Sequence, residues 1–157
     1  MKIFIFLLFV LSISKVSSQE VFAFQNQRHQ FNKSIIVLNL KNKIKKKSFE
    51  KGFLYEAQYL GSFKTRAGKK FYIINSTYVN LKNLRSDNEI FIYNEKKQFV
   101  GYYNASGFQL PTKLENDFLF FAENNCKNRI NLKNGIPQFL CLLCNNEKDC
   151  TEFENGI

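Results

Sequence analysis

The sequence predicts an all-β fold, an antiparallel meander of about eight or nine strands that is either an up-and-down barrel or a two-layer sandwich. Three observations predict it. Short runs rich in Phe, Tyr, Ile and Val alternate with turn-forming residues from Phe53 to Leu143, as strands on a half-buried pleated surface do. Helical periodicity is almost absent after residue 18. The stretch from Phe53 to Asn104 reads as two hairpins in succession, the first with apolar pairs on both faces, which places it inside a layered or closed sheet.

The first hairpin rises over Phe53 to Phe63 and stops at Thr65-Arg66-Ala67-Gly68. Gly68 can take the positive φ that a tight turn demands. Phe71-Tyr72-Ile73-Ile74 leads the return to Asn80, and if Lys64 faces Lys69, then Leu60 meets Ile73 and Tyr59 meets Ile74. After a connection over Leu81 to Asn88, the second hairpin runs from Glu89 to Tyr93, turns at Asn94-Glu95-Lys96-Lys97 and returns over Gln98 to Asn104. With Tyr93 opposite Gln98, Ile92 meets Phe99 and Phe91 meets Val100.

The chain before these hairpins begins with Met1-Lys2, an apolar run from Ile3 to Leu11, and small residues at Val16-Ser17-Ser18. This is the pattern of a signal peptide, residues 1–18, cleaved to leave Gln19. The apolar run is shorter than the roughly 18 to 20 residues a membrane span needs, and nothing after residue 18 could cross as a helix. The expected address is therefore secreted or periplasmic. Residues 19–157 are expected to form a single β-rich domain, with 19–33 as a loose arm. Ser34 to Leu40 reads as a first strand because Ile35-Ile36-Val37 is a compact β-branched run. Lys41 to Lys51 is a block of like charge, read as a solvated loop or helix face.

Beyond the hairpins, Gly107 to Asn116 reads as a loop containing Pro111, and Asp117 to Glu123 as a buried strand. Lys127 to Lys133 alternates, Asn134-Gly135 is a strong two-residue hairpin signal, and Ile136 to Leu143 returns. A last turn starts at Asn145.

The formal net charge is +10. Residues 19–86 carry 14 basic and 3 acidic side chains, whereas residues 87–157 carry 7 basic and 10 acidic, so the basic half is the one suited to an anionic partner. Lys41, Lys43, Lys45, Lys46, Lys47 and Lys51 are the candidate contacts with an anionic surface, joined by Lys64, Arg66, Lys69 and Lys70, with Phe49, Phe53 and Tyr55 beside them. Aromatics among lysines also suit single-stranded nucleic acid. The export signal argues against that partner and for anionic lipid, polysaccharide or an acidic protein.

No catalytic residue is assigned. The one histidine, His29, sits in the polar lead-in, whereas a catalytic base needs a fixed partner and a pocket. No nucleophile elbow, zinc-protease helix, phosphate loop or calcium loop occurs. Glu56, Asp87, Glu89, Glu115 and Asp117 read as strand-edge and turn residues, although a pair from separate strands could serve a hydrolase. Cys126, Cys141, Cys144 and Cys150 fall late in the chain; their even number after an export signal points to structural disulfides over a metal or redox site. A hairpin at Asn134-Gly135 would bring Cys126 within one step of Cys144 and leave Cys141 for Cys150. The rival pairs Cys144 with Cys150 and Cys126 with Cys141. Three glycosylation sequons start at Asn32, Asn75 and Asn104.

The functional expectation is a non-enzymatic exported domain that binds an unidentified macromolecule or anionic surface, with no cofactor and no metal. The alternatives are a carrier with an apolar ligand in a barrel cavity and a hydrolase using strand-borne carboxylates.

Overall fold

A computed structural model describes residues 23–50, 52–107, 109–123, 126–144 and 147–156, without the side chains of residues 50, 123, 126 and 127. The expected signal peptide and its cleavage point lie outside the described residues. The chain divides into two units, Met1–Phe31 and Asn32–Ile157. In the first, residues 23–31 are helical, and the Arg28 guanidinium lies over the Phe24 ring at 5.5 Å.

Helix α1 covers residues 23–37 and so runs into the second unit. The strand expected after Ser34 is thus the end of a helix, and residues 23–33 of the expected loose arm are helical, residues 19–22 lying outside the described residues. Asn32, Ile35 and Ile36 are buried, and their i, i+3, i+4 spacing is one face of a helix. β-branched residues favour strands only weakly, and packing overrides that preference here. The helix ends where Asn39 takes a positive φ of 49°. The amide of Asn39 then donates to the Ile36 carbonyl at 3.1 Å and that of Leu40 to Ile35 at 3.2 Å, a Schellman cap that satisfies two terminal carbonyls.

Ten strands follow among the described residues: β1 (Ile44–Glu50), β2 (Phe53–Lys64), β3 (Lys70–Asn80), β4 (Arg85–Asn94), β5 (Phe99–Asn104), β6 (Lys113–Glu115), β7 (Phe118–Glu123), β8 (Cys126–Asn131), β9 (Phe139–Cys144) and β10 (Glu147–Asn155). The all-β meander is therefore the architecture observed. β1 to β5 lie in chain order, β10 pairs with β5, and β9 closes the row, giving a seven-stranded antiparallel sheet; β6, β7 and β8 form a separate three-stranded one. The large sheet has two edges, β1 and β9, so it does not close into a barrel.

Side chains of β2, β3 and β4 alternate between two covered faces. On one, Leu60, Phe63, Ile73, Ile90 and Ile92 form the main core with Leu114, Leu119, Phe121 and Leu132 of the small sheet and its flank. Burying an apolar side chain of this size stabilises by about 1.5–3 kcal/mol, so this shared core is what binds the sheets together. On the other face lie Tyr55, Tyr59, Ile74, Phe91 and Tyr93, all buried. There the end of α1 is pinned by Asn32: the Tyr55 hydroxyl donates to its Oδ1 at 2.9 Å, and its Nδ2 donates to the Tyr93 hydroxyl at 3.0 Å.

Registers differ from expectation in an instructive way. Lys64 faces Lys70, not Lys69, and an extra residue at Leu60 then restores the expected Tyr59–Ile74 pair. In the second hairpin Tyr93 faces Phe99, and a shift at Val100 sets Ile92 opposite Gly101 and Phe91 opposite Tyr102. Both turns contain one residue more than expected; the bulge at Leu60 offsets the change, whereas the one at Val100 adds a second step to it.

The hairpin expected at Asn134-Gly135 does not form. β8 pairs with β7, and β9 belongs to the other sheet. The chain turns there, with the Gly135 amide on the Leu132 carbonyl, but it crosses from one layer to the other. Among the described side chains Asn128 links β8 to β9: its Nδ2 donates to the Leu143 carbonyl and its Oδ1 accepts from the Leu143 amide, both at 3.1 Å. β10 meets β5 over Phe153–Tyr103, Glu154–Tyr102 and Asn155–Gly101. At Gly101 a side chain has no room, since a Cβ would collide with the Glu154 carbonyl oxygen.

The tyrosine bridge yields a first prediction. Asn32→Ala removes the partner of two buried hydroxyls and should lower unfolding free energy by about 2–3 kcal/mol, read from the urea midpoint at unchanged slope. A loss under about 0.5 kcal/mol, the size of an ordinary surface change, would show that the bridge does not secure α1.

Candidate functional site

The lysine block is neither loop nor helix; it is mainly the edge strand β1. Its register sets Lys45 opposite Ala57, Lys46 opposite Glu56 and Lys47 opposite Tyr55. Consecutive residues point to opposite faces, so Lys45 and Lys47 share the face of Tyr55, and Lys46 takes the other. Lys46 is ion-paired with Glu56 at 2.5 Å. The Lys47 ammonium lies 5.0 Å from the Phe49 ring centroid, and Phe49 in turn is tilted against Tyr55 at 5.5 Å. Lys41 and Lys43 precede the strand and are exposed. No ion pair engages Lys41, Lys43 or Lys45 among the described residues; Lys51 lies outside them. Tyr55 is fully buried and Phe53 is stacked on Tyr78 at 5.0 Å, so those two aromatics serve the sheet.

A second basic region sits at the far end of β2. The two were read as one side of the molecule, but β2 runs between them, from Ala57 opposite Lys45 to Lys64, about 23 Å at a strand's rise, with Lys41 nearer, beside Tyr59 and Gly61. Here two hairpin tips stand next to each other, because β3 and β4 are neighbours and Phe71 faces Asn94. Their backbones repeat one design. In the first, the Thr65 amide donates to Lys69 and the Gly68 amide to Thr65, both at 2.9 Å; in the second, the Asn94 amide donates to Gln98 at 2.9 Å and the Lys97 amide to Asn94 at 2.8 Å. The residue closing each turn has positive φ, 80° at Gly68 and 60° at Lys97. Between the tips lies an open groove of about 530 Å³, lined by Lys69, Lys70 and Lys96, with Glu95 and Gln98 and with Phe71 and Val100. The turn at Lys133 joins this end, its carbonyl accepting from the Arg66 amide at 2.8 Å.

Four of the five carboxylates named from sequence have local partners, and Asp87 is exposed on β4. Glu56 pairs with Lys46 and Glu115 with Lys113 at 2.8 Å, and the hydrogen bond and charge of Lys113 lower the Glu115 pKa. Asp117 Oδ1 accepts from the Lys64 amide at 3.3 Å, and Glu89 accepts from Ser76 at 3.4 Å. Among the described residues no cluster of three His, Cys, Asp or Glu could hold a metal ion.

Cys141 and Cys150 face each other across β9 and β10 and are joined by a disulfide. Cys144 is disulfide-bonded as well; the side chain of Cys126, its expected partner, lies outside the described residues. A disulfide is compatible with an oxidising, exported compartment. Of the three sequons, Asn32 and Asn75 are buried, the latter donating to the Pro111 carbonyl at 2.6 Å. Asn104 is exposed, and its Oδ1 accepts from the Ser106 amide at 3.0 Å. Comparison of the chain with protein-family models, with curated proteins and with solved structures finds no match.

His29 gives a prediction of its own. Burial, and then the positive charge of Arg28, push its pKa from 6.5 down to about 4. The unfolded chain therefore binds the proton first, and this group's contribution works against folding as pH falls from 6.5 toward 4. The single imidazole can be followed directly by NMR. Its resonance should titrate near 4, and a midpoint near 6.5 would mean an ordinary exposed ring.

Proposed function

We propose that this chain is an exported, non-enzymatic binding domain that docks on a polyanionic macromolecule through the β1 edge. The observation that carries this reading is the placement of Lys41, Lys43, Lys45, Lys46 and Lys47 on or beside an exposed sheet edge, where Lys46 is paired with Glu56 and no ion pair engages Lys41, Lys43 or Lys45 among the described residues. Lysines on an edge strand also keep other strands from pairing with it. That role needs only charge along the edge. Binding would in addition require several of the lysines to engage one partner together, and lysines on both faces of β1 allow an extended polyanion to run along the strand. The even cysteine count and the disulfide support an extracytoplasmic address, where polysaccharides and anionic lipids present such charge. The carrier alternative loses the closed barrel on which its cavity depended.

The test is retention on a heparin matrix. Attraction of this kind weakens as the Debye length falls to about 8 Å at physiological ionic strength, so elution should come at modest salt. Replacing Lys45, Lys46 and Lys47 together by glutamine should abolish retention. Retention that does not change would leave β1 with the edge-guarding role alone.

A further inference from the structure

We infer that the groove between the two hairpin tips is a second site, separate from the β1 edge, and that it binds an acidic sugar unit, a ring bearing a carboxylate or sulfate. The charge argument comes first. Lys69, Lys70 and Lys96 line the groove and Arg66 and Lys97 stand on the same tips, yet no ion pair engages any of the five among the described residues. What faces two of them is a ring: the Lys70 and Lys97 ammonium groups lie 5.2 and 6.0 Å from the Tyr72 centroid. A π face offsets a cation by about 0.5–1 kcal/mol at an exposed site, less than a charged hydrogen bond supplies. Glu95 is the one carboxylate among the lining residues, so three lysines face one acid and an incoming anion is favoured.

The shape argument is independent of charge. The tips are pre-set by backbone hydrogen bonds and by side-chain locks, the Lys69 amide on Thr65 Oγ1 at 3.2 Å and the Gln98 amide on Asn94 Oδ1 at 3.0 Å. A ligand then orders little backbone when it binds, which preserves affinity. The groove volume of about 530 Å³ lies within the roughly 300–1,000 Å³ usual for small-molecule sites. Its wall combines cations with the amide of Gln98 and the half-buried apolar side chains of Phe71 and Val100. This mixture matches a sugar acid, which has one charged group, several hydroxyls and an apolar ring face. A lysine at positive φ at position 97 costs more than the glycine that closes the sister tip; that lysine places one more cation at this end.

The experiment is an NMR titration of the amide-labelled full chain with three probes: a uronic-acid trisaccharide, a sulfated disaccharide and a neutral disaccharide. Saturable shifts confined to residues 65–71 and 94–100 are expected with at least one acidic probe and none with the neutral one. Which acidic probe binds identifies the anion, and either result supports the site. Lys69→Gln combined with Lys96→Gln should weaken binding by about tenfold or more, the scale of one lost charged hydrogen bond. Glu95→Gln should tighten it, and the Lys45, Lys46, Lys47 glutamine variant should leave it unchanged. The inference is overturned if no acidic probe gives saturable shifts, if the neutral probe binds equally, if the shifts fall on β1, or if the double variant binds as the parent does.

Discussion

Strands β2, β3 and β4 present apolar or aromatic side chains on both sides of one sheet, and water has to be kept from both. This requirement places most of what surrounds them. One side is closed by the small sheet, whose Leu114, Leu119 and Phe121 enter the same core as Ile73 and Ile92. The other is closed by the end of α1, and there the covering element carries a polar residue at its centre. An amide in such a position is costly unless both its ends are matched. The hydroxyls of Tyr55 and Tyr93 match them, so only one placement of the helix end over the sheet satisfies the bridge.

That same bridge explains why the helix was illegible. Its buried stripe in the second unit is Asn32, Ile35 and Ile36, and a search for apolar periodicity passes over an asparagine. The residues that remain, Ile35-Ile36-Val37, look like a strand when read alone. A capping glycine would have marked the helix end, but Asn39 fills that position. The central strands, by contrast, were legible because both faces show in the alternation. Their registers were not, since the bulges at Leu60 and Val100 arise from packing against partners that no local pattern names. β1 escaped notice for the opposite reason: an edge strand exposed along most of its length has no apolar alternation to show.

The candidate sites divide in the same way. Each hairpin tip could be read from its own residues, Gly68 above all. Their juxtaposition could not, because it depends on β3 and β4 being neighbours in the register that sets Phe71 opposite Asn94. Nor could sequence separate the lysine edge from the tips; residues close in the chain lie at opposite ends of a long strand. The Asn134-Gly135 signal misled because turn chemistry reports a change of direction and leaves open which strand receives the chain. Cys141 and Cys150 were nonetheless paired as expected, since that pairing depends on β10 folding back on β9 and not on the preceding turn.

The ladder between β5 and β10 is only three pairs long, whereas β2 and β3 share eleven. On its outer side β10 is tied to β9 by a longer ladder and by the Cys141–Cys150 bond. The large sheet is thus a continuous fabric from β1 to β5 with a cross-linked flap sewn to it along a short seam. A short ladder gives little backbone support, so the join between β5 and the β9–β10 pair rests mainly on side chains, Leu140 and Leu142 of β9 being buried in the main core. The Cys141–Cys150 bond holds β9 and β10 together as one covalently closed piece. Gly101 is the point on which the seam depends, because only a residue without a side chain lets the two backbones close.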